Sequence, residues 1–134
     1  MKVLLDTHII IWAITDSEEL PSEARKIISD DNNTLYCSVA SIWEVAIKNN
    51  LFTKDMPITE EEFVSECKNM GLFRVDIKDS HIFTIKELKQ ANPPAHKDPF
   101  DRMMIAQAKN EGMKFLTHDG LLEVYGEDCV IIAK

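Results

Sequence analysis

The sequence predicts an α/β fold in which helices cover both faces of a central, mainly parallel sheet of four to five strands. Short apolar runs of strand length alternate with stretches of helical periodicity, as in proteins built from parallel strands and crossover helices. The first run, Lys2–Leu5, is apolar at three successive positions, which is typical of a strand buried on both faces. A length of 134 residues fits one domain, residues 1–134, with one hydrophobic core.

Local signals place the elements of the first half. Lys2–Leu5 is the first strand, His8–Ile14 is an inward-facing helix, and Pro21-Ser22 opens a second helix. A turn-like run of Asp and Asn precedes a second strand over Thr34–Ser38. Ser41–Asn50 has the apolar spacing of a helix.

The middle of the chain contributes two helices and a strand. Thr59 and Glu62 have the spacing of a capping box, and that helix is expected to end at Gly71. A third strand is predicted over Leu72–Ile77. The next helix begins at Asp79 and is predicted to stop at Asn92-Pro93-Pro94. Its inner face is predicted to consist of three apolar residues, Ile82, Ile85 and Leu88.

The last third is predicted to hold one long helix and two strands. The helix begins at Asp98-Pro99 and ends at Gly112. Phe115–Thr117 and Val130–Ile132 are the strands, with a short helical turn around Leu121–Tyr125. The predicted order is therefore β-α-α-β-α-α-β-α-α-β-β.

Composition narrows the class of protein. No run reaches the roughly 18 uncharged apolar residues of a membrane helix, and the apolar start, Met1–Leu5, is too short for a signal-peptide core. The expected compartment is therefore the cytoplasm, without membrane attachment. The three cysteines, Cys37, Cys67 and Cys129, form no CxxC pair, so we interpret them as buried apolar residues.

The net charge of −8 argues against broad, non-specific binding to a phosphate backbone. Either nucleic acid is not the partner, or some acids hold metal ions that reverse the local charge. A basic protein partner also suits such a surface.

Several acids follow strands or begin helices at one predicted edge of the sheet, where sites form in open α/β folds. They are Asp6, Glu44, Asp98, Asp101 and Asp119. Neighbouring carboxylates repel one another, and Mg²⁺ or Mn²⁺, which prefer oxygen ligands, relieve the conflict. One or two such ions activate water for phosphodiester cleavage.

Each acid also has a structural interpretation. Asp6 and Asp101 suit helix caps, Glu44 a solvent-facing helix position, and Asp119 a turn. Asp98 precedes a proline at the start of a helix, which favours a structural role. The large apolar residues Trp12, Trp43, Met103 and Met104 are interpreted as core residues at helical spacing rather than as a binding groove.

Four stretches, in this order, resemble the PIN-domain family, and specifically its VapC-type toxin ribonucleases. They are Leu4-Leu5-Asp6-Thr7-His8, Ser41–Lys48, His96–Arg102 running into Ile105–Ala108, and Leu116-Thr117-His118-Asp119. The resemblance covers essentially the whole chain. It implies a Rossmann-like three-layer α/β/α sandwich and Mg²⁺- or Mn²⁺-dependent cleavage of RNA. It also implies inhibition by a small antitoxin encoded alongside, and usually a toxin homodimer.

By position, Asp6, Glu44 and Asp101 match the three acids of the family, and Asp119 matches a fourth, more variable one. Asp98 is a second candidate in the third motif. The resulting hypothesis is that Asp6 and Asp101 hold the principal ion, which the other two acids complete directly or through water.

Further residues near these acids have candidate roles. Lys48 and Arg102 are predicted to contact phosphate, or else to form surface ion pairs with nearby acids. Four hydroxyl residues are expected either to support the acids by hydrogen bonds or to cap helices: Thr7, Ser38, Ser41 and Thr117.

Two other functions stay open from the sequence. The first is a phospho-acceptor or phosphatase with Asp6 as nucleophile. A phosphatase of this kind needs a second acid two residues later, where this chain has His8. A receiver-type phospho-acceptor needs paired acids at the end of the first strand and a lysine after the last strand, but Asp6 stands alone and Lys134 is the final residue of the sequence. The second is a non-catalytic binding protein with the same fold, which normally lacks one or more of the acids.

Overall fold

Five strands form one parallel sheet in the computed structural model, which describes residues 1–51, 54–89 and 98–134. The strands are β1 (Lys2–Leu5), β2 (Thr34–Ser38), β3 (Phe73–Val75), β4 (Lys114–Thr117) and β5 (Val130–Ile132). The helices are α1 (Thr7–Ile14), α2 (Ser22–Ser29), α3 (Val39–Leu51), α4 (Glu60–Asn69), α5 (Asp79–Ile85) and α6 (Pro99–Glu111). A short 3₁₀ helix (Gly120–Tyr125) lies between β4 and β5. The predicted order of elements is confirmed.

The sheet has the strand order β3-β2-β1-β4-β5, and every neighbouring pair is parallel. β1 is the central strand, with Leu4 in register with Tyr36 of β2 and Phe115 of β4. The carboxyl ends of β1, β2 and β4 therefore meet at one edge, and the helices that follow them begin there.

The sheet divides the hydrophobic core into two layers because successive side chains of a strand point to opposite faces. Val3 and Leu5 pack with residues of α1, α2 and α4 on one face. Leu4 packs with α6 on the other, where Met104 and Ile105 are fully buried. Helices on both faces of a parallel sheet confirm the three-layer α/β/α sandwich.

The predicted caps are present at α4 and α6. Thr59 and Glu62 form a capping box at α4, in which the Thr59 hydroxyl accepts a hydrogen bond from the Glu62 N–H. Asp98 is the N-cap of α6, Pro99 follows at its first position, and Gly112 ends it at φ 69. Such a left-handed residue at a helix end favours glycine.

The inner face predicted for α5 is wrong at Ile82, whereas Ile85 is half-buried and Leu88, which lies beyond the end of this helix, is buried as predicted. Ile82 is 49% exposed, and the buried residues of this helix are His81 and Thr84. His81 is buried because both ring nitrogens have partners: Nδ1 accepts from the Lys78 N–H at 3.0 Å, and Nε2 lies 2.9 Å from Glu111 Oε1 on α6. The predicted stop at residues 92–94 lies outside the described residues.

Smaller corrections concern exposure and element ends. Trp43 is 58% exposed and is not a core residue; its ring packs edge-on against Phe100 at 5.2 Å. Cys129 is half-buried, whereas the other two cysteines are buried as predicted. Several ends differ by one or two residues: α1 begins at Thr7, α3 begins at Val39, and β3 is shorter than predicted.

Within residues 1–51, 54–89 and 98–134, no helix combines the length and the apolar character that spanning a bilayer requires.

Candidate active site

Asp6 lies at the carboxyl end of the central strand and is almost fully buried, with 4% of its surface exposed. Its backbone N–H donates to Leu116 O at 2.9 Å, which continues the pairing of β1 with β4. It is also the N-cap of α1. Asp6 is therefore both a helix cap and a residue at the predicted edge of the sheet.

Both carboxylate oxygens of Asp6 accept hydrogen bonds. The Thr7 N–H donates to Oδ1 at 2.7 Å, and the Thr117 hydroxyl donates to Oδ2 at 2.6 Å. Thr117 is the last residue of β4, so a neighbouring strand fixes the orientation of the carboxylate. Thr117 thus has the supporting contact expected from the sequence.

Glu44 is buried in the first half of α3, the helix that follows β2, with only 3% of its surface exposed. The Thr7 hydroxyl donates to its Oε1 at 2.6 Å, and the Lys48 ammonium donates to its Oε2. Ser41 lies 2.8 Å from the Thr7 hydroxyl. Glu44 is therefore not a solvent-facing residue, and a buried carboxylate of this kind requires the charged partner that Lys48 supplies.

The first turn of α6 separates the roles of Asp98 and Asp101. Asp98 Oδ1 accepts from the N–H groups of Phe100 and Asp101, at 2.8 and 3.2 Å. Asp98 therefore satisfies the free N–H groups of the helix. Asp101 is not the cap, and it is 9% exposed.

Electrostatics show that Asp101 lies among the other acids. Burial, the largest cause, and the charges of nearby carboxylates together raise its pKa to about 9. These carboxylates are Asp6, Asp98, Glu44 and Asp119. In the following, the acid cluster denotes Asp6, Glu44, Asp101 and Asp119.

Asp6 has a raised pKa for the same reasons. Burial, the main cause, and the charges of Glu44 and Asp119 raise its pKa to about 7. The hydrogen bonds from Thr117 and Thr7 stabilise the ionised form and oppose this rise. Two members of the acid cluster thus retain a proton far more readily than ordinary aspartates.

Asp119 begins the 3₁₀ helix after β4 and is half-buried. Its Oδ1 accepts from the Leu121 N–H at 3.0 Å, and its own N–H donates to the Thr117 hydroxyl at 3.1 Å. Asp119 therefore forms the turn that its alternative interpretation predicted, while its charge also acts on Asp6 and Asp101.

The donor set suits a hard divalent cation, although the side chains are held by internal hydrogen bonds. Among the described residues, no three acidic, histidine or cysteine side chains already stand in a geometry that would hold a metal ion. Hydroxyl, N–H and ammonium donors occupy the oxygens of Asp6 and Glu44. The four acids nevertheless offer only oxygen ligands, and a cation such as Mg²⁺ would offset the mutual repulsion that helps to raise the pKa of Asp6 and Asp101.

The two predicted phosphate contacts lie in different surroundings. Lys48 is half-buried and ion-paired with Glu44, which places its ammonium beside the acid cluster. Arg102 is half-buried as well, and its Nη2 donates to Ile85 O of α5 at 3.4 Å. The structure thus brings Lys48 to the acids and directs part of the Arg102 guanidinium toward α5.

Gln107 is a positioning residue that sequence reasoning missed. It is fully buried on α6, and its Oε1 accepts from the Ser38 hydroxyl at 2.6 Å. The same hydroxyl accepts from the Ala40 N–H at 2.9 Å, at the start of α3. This link joins the helix of Glu44 to the helix of Asp101. An amide side chain within the apolar run Ile105–Ala108 was the signal that could have found it.

Three aromatic rings beside the acid cluster were also missed as a group. His8, Trp12 and His118 pack against one another, with ring centroids 4.5 to 5.9 Å apart. They come from two distant parts of the chain, so only the fold brings them together. In the following, these three residues are called the ring cluster.

Solved structures share this fold at low sequence identity. VapBC2 from Rickettsia felis, bound to a DNA fragment from its promoter, has a TM-score of 0.68 at 17% identity, covering 98% of this chain and 97% of the other. A toxin–antitoxin complex from Klebsiella pneumoniae has a TM-score of 0.58 at 16% identity, covering 96% and 95%. VapBC-1 from nontypeable Haemophilus influenzae has a TM-score of 0.57 at 16% identity, covering 89% and 87%.

Sequence comparison identifies the family. Curated protein sequences give no significant match. The profile of the PIN domain, in contrast, matches residues 3–127, from β1 to beyond the 3₁₀ helix. This match includes every residue of the acid cluster and agrees with the sheet order and helix layers described above. The chain therefore belongs to the PIN domain family.

Proposed function

We propose that this protein is a divalent-metal-dependent endoribonuclease, the toxin of a VapBC-type toxin–antitoxin pair. The observation that carries the proposal is the burial of mutually repelling carboxylates at the end of the central strand, which raises the pKa of Asp101 to about 9. Such an arrangement lowers the stability of the fold, and acids with perturbed pKa values of this kind are characteristic of functional sites. Membership of the PIN domain family supports the same reading.

In this proposal Asp6 and Asp101 hold Mg²⁺ or Mn²⁺, and Asp119 and Glu44 complete the site directly or through water. When bound, the cation supplies an activated water and stabilises the leaving oxygen of a phosphodiester. Asp98 serves chiefly as the cap of α6, because its Oδ1 accepts two backbone hydrogen bonds. Its charge still contributes to the field at Asp101.

The remaining residues of the site act on the acids. Thr7 and Thr117 orient the two oxygens of Asp6, and Thr7 also orients Glu44. Ser41 holds the Thr7 hydroxyl in place. Asp6 and Glu44 are thereby each kept in one orientation before substrate arrives, which is the arrangement that effective catalysis requires.

Lys48 and Arg102 are proposed to contact RNA phosphates. Lys48 is the better placed of the two, since its ammonium already lies at Glu44 and stays partly accessible. Release of Lys48 from Glu44 on substrate binding would exchange one anionic partner for another. Arg102 is less well placed, because its Nη2 donates to Ile85 O of α5.

The proposed partners are RNA as substrate, a small antitoxin and a second copy of the chain. The Rickettsia and Haemophilus structures are of VapBC2 and VapBC-1, and the Klebsiella structure is of a toxin–antitoxin complex. A net charge of −8 favours a basic antitoxin. The proposed place of action is the cytoplasm, where RNA is found.

Cleavage of RNA by the purified protein tests the proposal. Single-stranded and structured RNAs are incubated with Mg²⁺, with Mn²⁺ and with EDTA, and the products are separated on a denaturing gel. The expected result is cleavage with either metal that is lost in EDTA and in Asp6→Asn. Asp128→Asn, which changes an exposed acid outside the acid cluster, is the matched control and should cleave normally.

Cleavage that survives both EDTA and Asp6→Asn would refute the mechanism. Calorimetric titration with Mn²⁺ gives a reading that does not depend on finding the right RNA. Wild type and Asp128→Asn should bind the ion, whereas Asp6→Asn and Asp101→Asn should bind it at least tenfold more weakly, a loss of about 1.4 kcal/mol or more. Equal binding by all four proteins would exclude the acid cluster as the metal site.

A further inference from the structure

The ring cluster joins the first helix to the end of β4. Trp12 and His118 pack edge to face at 4.5 Å, and His8 lies 5.9 Å from each of them. Every ring therefore contacts the other two. His8 and Trp12 are one helical turn apart on α1, so both extend from the same side of that helix.

The ring cluster is attached to the acid cluster at two points along the chain. His8 comes two residues after Asp6, and His118 directly precedes Asp119. The backbone at both points is fixed, because β1 pairs with β4 and Thr117 donates to Asp6. The rings consequently lie at the border of the acid cluster.

Exposure distinguishes the ring cluster from ordinary core packing. Trp12 packs against the core on one side, and His8 is half-buried, but His118 is exposed. Rings whose only role is to fill the core are normally buried. Here the inner side is anchored and the outer side is accessible, which leaves ring surface available to a ligand.

The chemistry of the rings fits a nucleobase better than a phosphate. The acid cluster can accept a phosphate only through a bound cation, whereas an uncharged aromatic base beside it needs none. Proteins that bind single-stranded RNA stack unpaired bases on aromatic side chains, histidine and tryptophan included. If one phosphate of an RNA strand lies at the acid cluster, the next base is only one nucleotide further along that RNA.

We propose that the ring cluster is a stacking subsite for an unpaired base of single-stranded RNA, next to the phosphate that is cleaved. The inference rests on the proposed function, because it takes the substrate to be RNA. It adds that the strand is unpaired at the cleavage point and that base contact on this side contributes to substrate choice.

Fluorescence of Trp12 tests the subsite without requiring cleavage. The chain has two tryptophans, so Trp43→Phe leaves Trp12 as the only one. This variant is titrated, in Mg²⁺, with a nuclease-resistant 2′-O-methyl phosphorothioate oligonucleotide. The expected result is saturable quenching of Trp12 emission. A chain of the same length made of abasic sites, which keeps the phosphates, should quench little.

Substitution at His118 tests the contribution of a single ring. His118→Ala should weaken oligonucleotide binding by roughly 5- to 150-fold, the range that corresponds to loss of one stacked base. His118→Phe, which keeps a ring, should restore most of the binding. Phe83→Ala is the matched control, because Phe83 is 70% exposed on α5 and lies outside the ring cluster. Circular dichroism verifies that the variants are folded.

The outcomes separate this inference from the proposed function. Equal quenching by the abasic chain, or unchanged binding by His118→Ala, overturns the stacking subsite even if the protein cleaves RNA. Quenching by bases alone supports the subsite even if no RNA is cleaved. Absence of any quenching overturns the inference.

Discussion

Replacing Asp101 with asparagine tests the electrostatic cost of the acid cluster. Its pKa is about 9 in the folded protein, against an ordinary value of 3.8. Between these two values the folded state holds a proton that the unfolded chain has released. Folding therefore takes up a proton in this range, and the free energy of unfolding falls as the pH rises through it. Asparagine keeps the shape of the side chain but has no proton to lose.

The size of the effect follows from this pKa. The free energy of unfolding falls by about 1.36 kcal/mol for each pH unit above 3.8, so at pH 7 the loss reaches about 4 kcal/mol. At pH 5 the same reasoning gives only about 2 kcal/mol. In the absence of divalent metal, Asp101→Asn should therefore be more stable than the wild type, by a margin that grows between these two pH values.

Urea unfolding in EDTA at pH 5 and at pH 7 measures the difference. Asp128→Asn is the control, since Asp128 is an exposed acid outside the acid cluster. This variant should change the free energy of unfolding little at either pH. Adding Mg²⁺ should stabilise the wild type and leave Asp101→Asn nearly unchanged. A variant no more stable than the wild type at pH 7, or a gain that is the same at both pH values, would refute the reasoning.

Three other substitutions test separate parts of the structure. Ser38→Ala leaves the buried Gln107 amide without its donor and should lower the free energy of urea unfolding by about 1–3 kcal/mol; no change would show that this link is not structural. Phe63→Ala opens a cavity at a fully buried position and should cost about 3–5 kcal/mol in the same assay. Thr117→Val removes a donor that lowers the pKa of Asp6, so the acidic limb of the pH–rate profile should move to higher pH. An unmoved limb would mean that Asp6 does not set it.

Local signals were sufficient for the order of elements. The capping box at Thr59, the proline at the start of α6 and the glycine at its end each act within one helical turn. Long-range partners decided the cases that failed. The burial of His81 in place of Ile82 depends on Glu111, thirty residues further along the chain, and no local pattern reveals such a pair.

The candidate site was predicted as a set of residues but not as a set of contacts. Strand ends and helix starts indicated that Asp6, Glu44, Asp101 and Asp119 would meet. The sequence did not reveal that one hydroxyl, that of Thr7, would connect Glu44 to Ser41. Which acid caps α6 also depended on backbone geometry, because Asp98 and Asp101 both stand near its start.

The central position of β1 has a consequence for how the protein is made. Of the two neighbours of β1, β4 is synthesised more than a hundred residues after β1 itself. The hydrogen bond from Thr117 to Asp6 spans 111 positions. Contacts of such long range form late and slow the folding of the chain. On the proposed function, a growing polypeptide therefore stays harmless to RNA until β4 has emerged, because its cutting centre is assembled from both halves of the molecule.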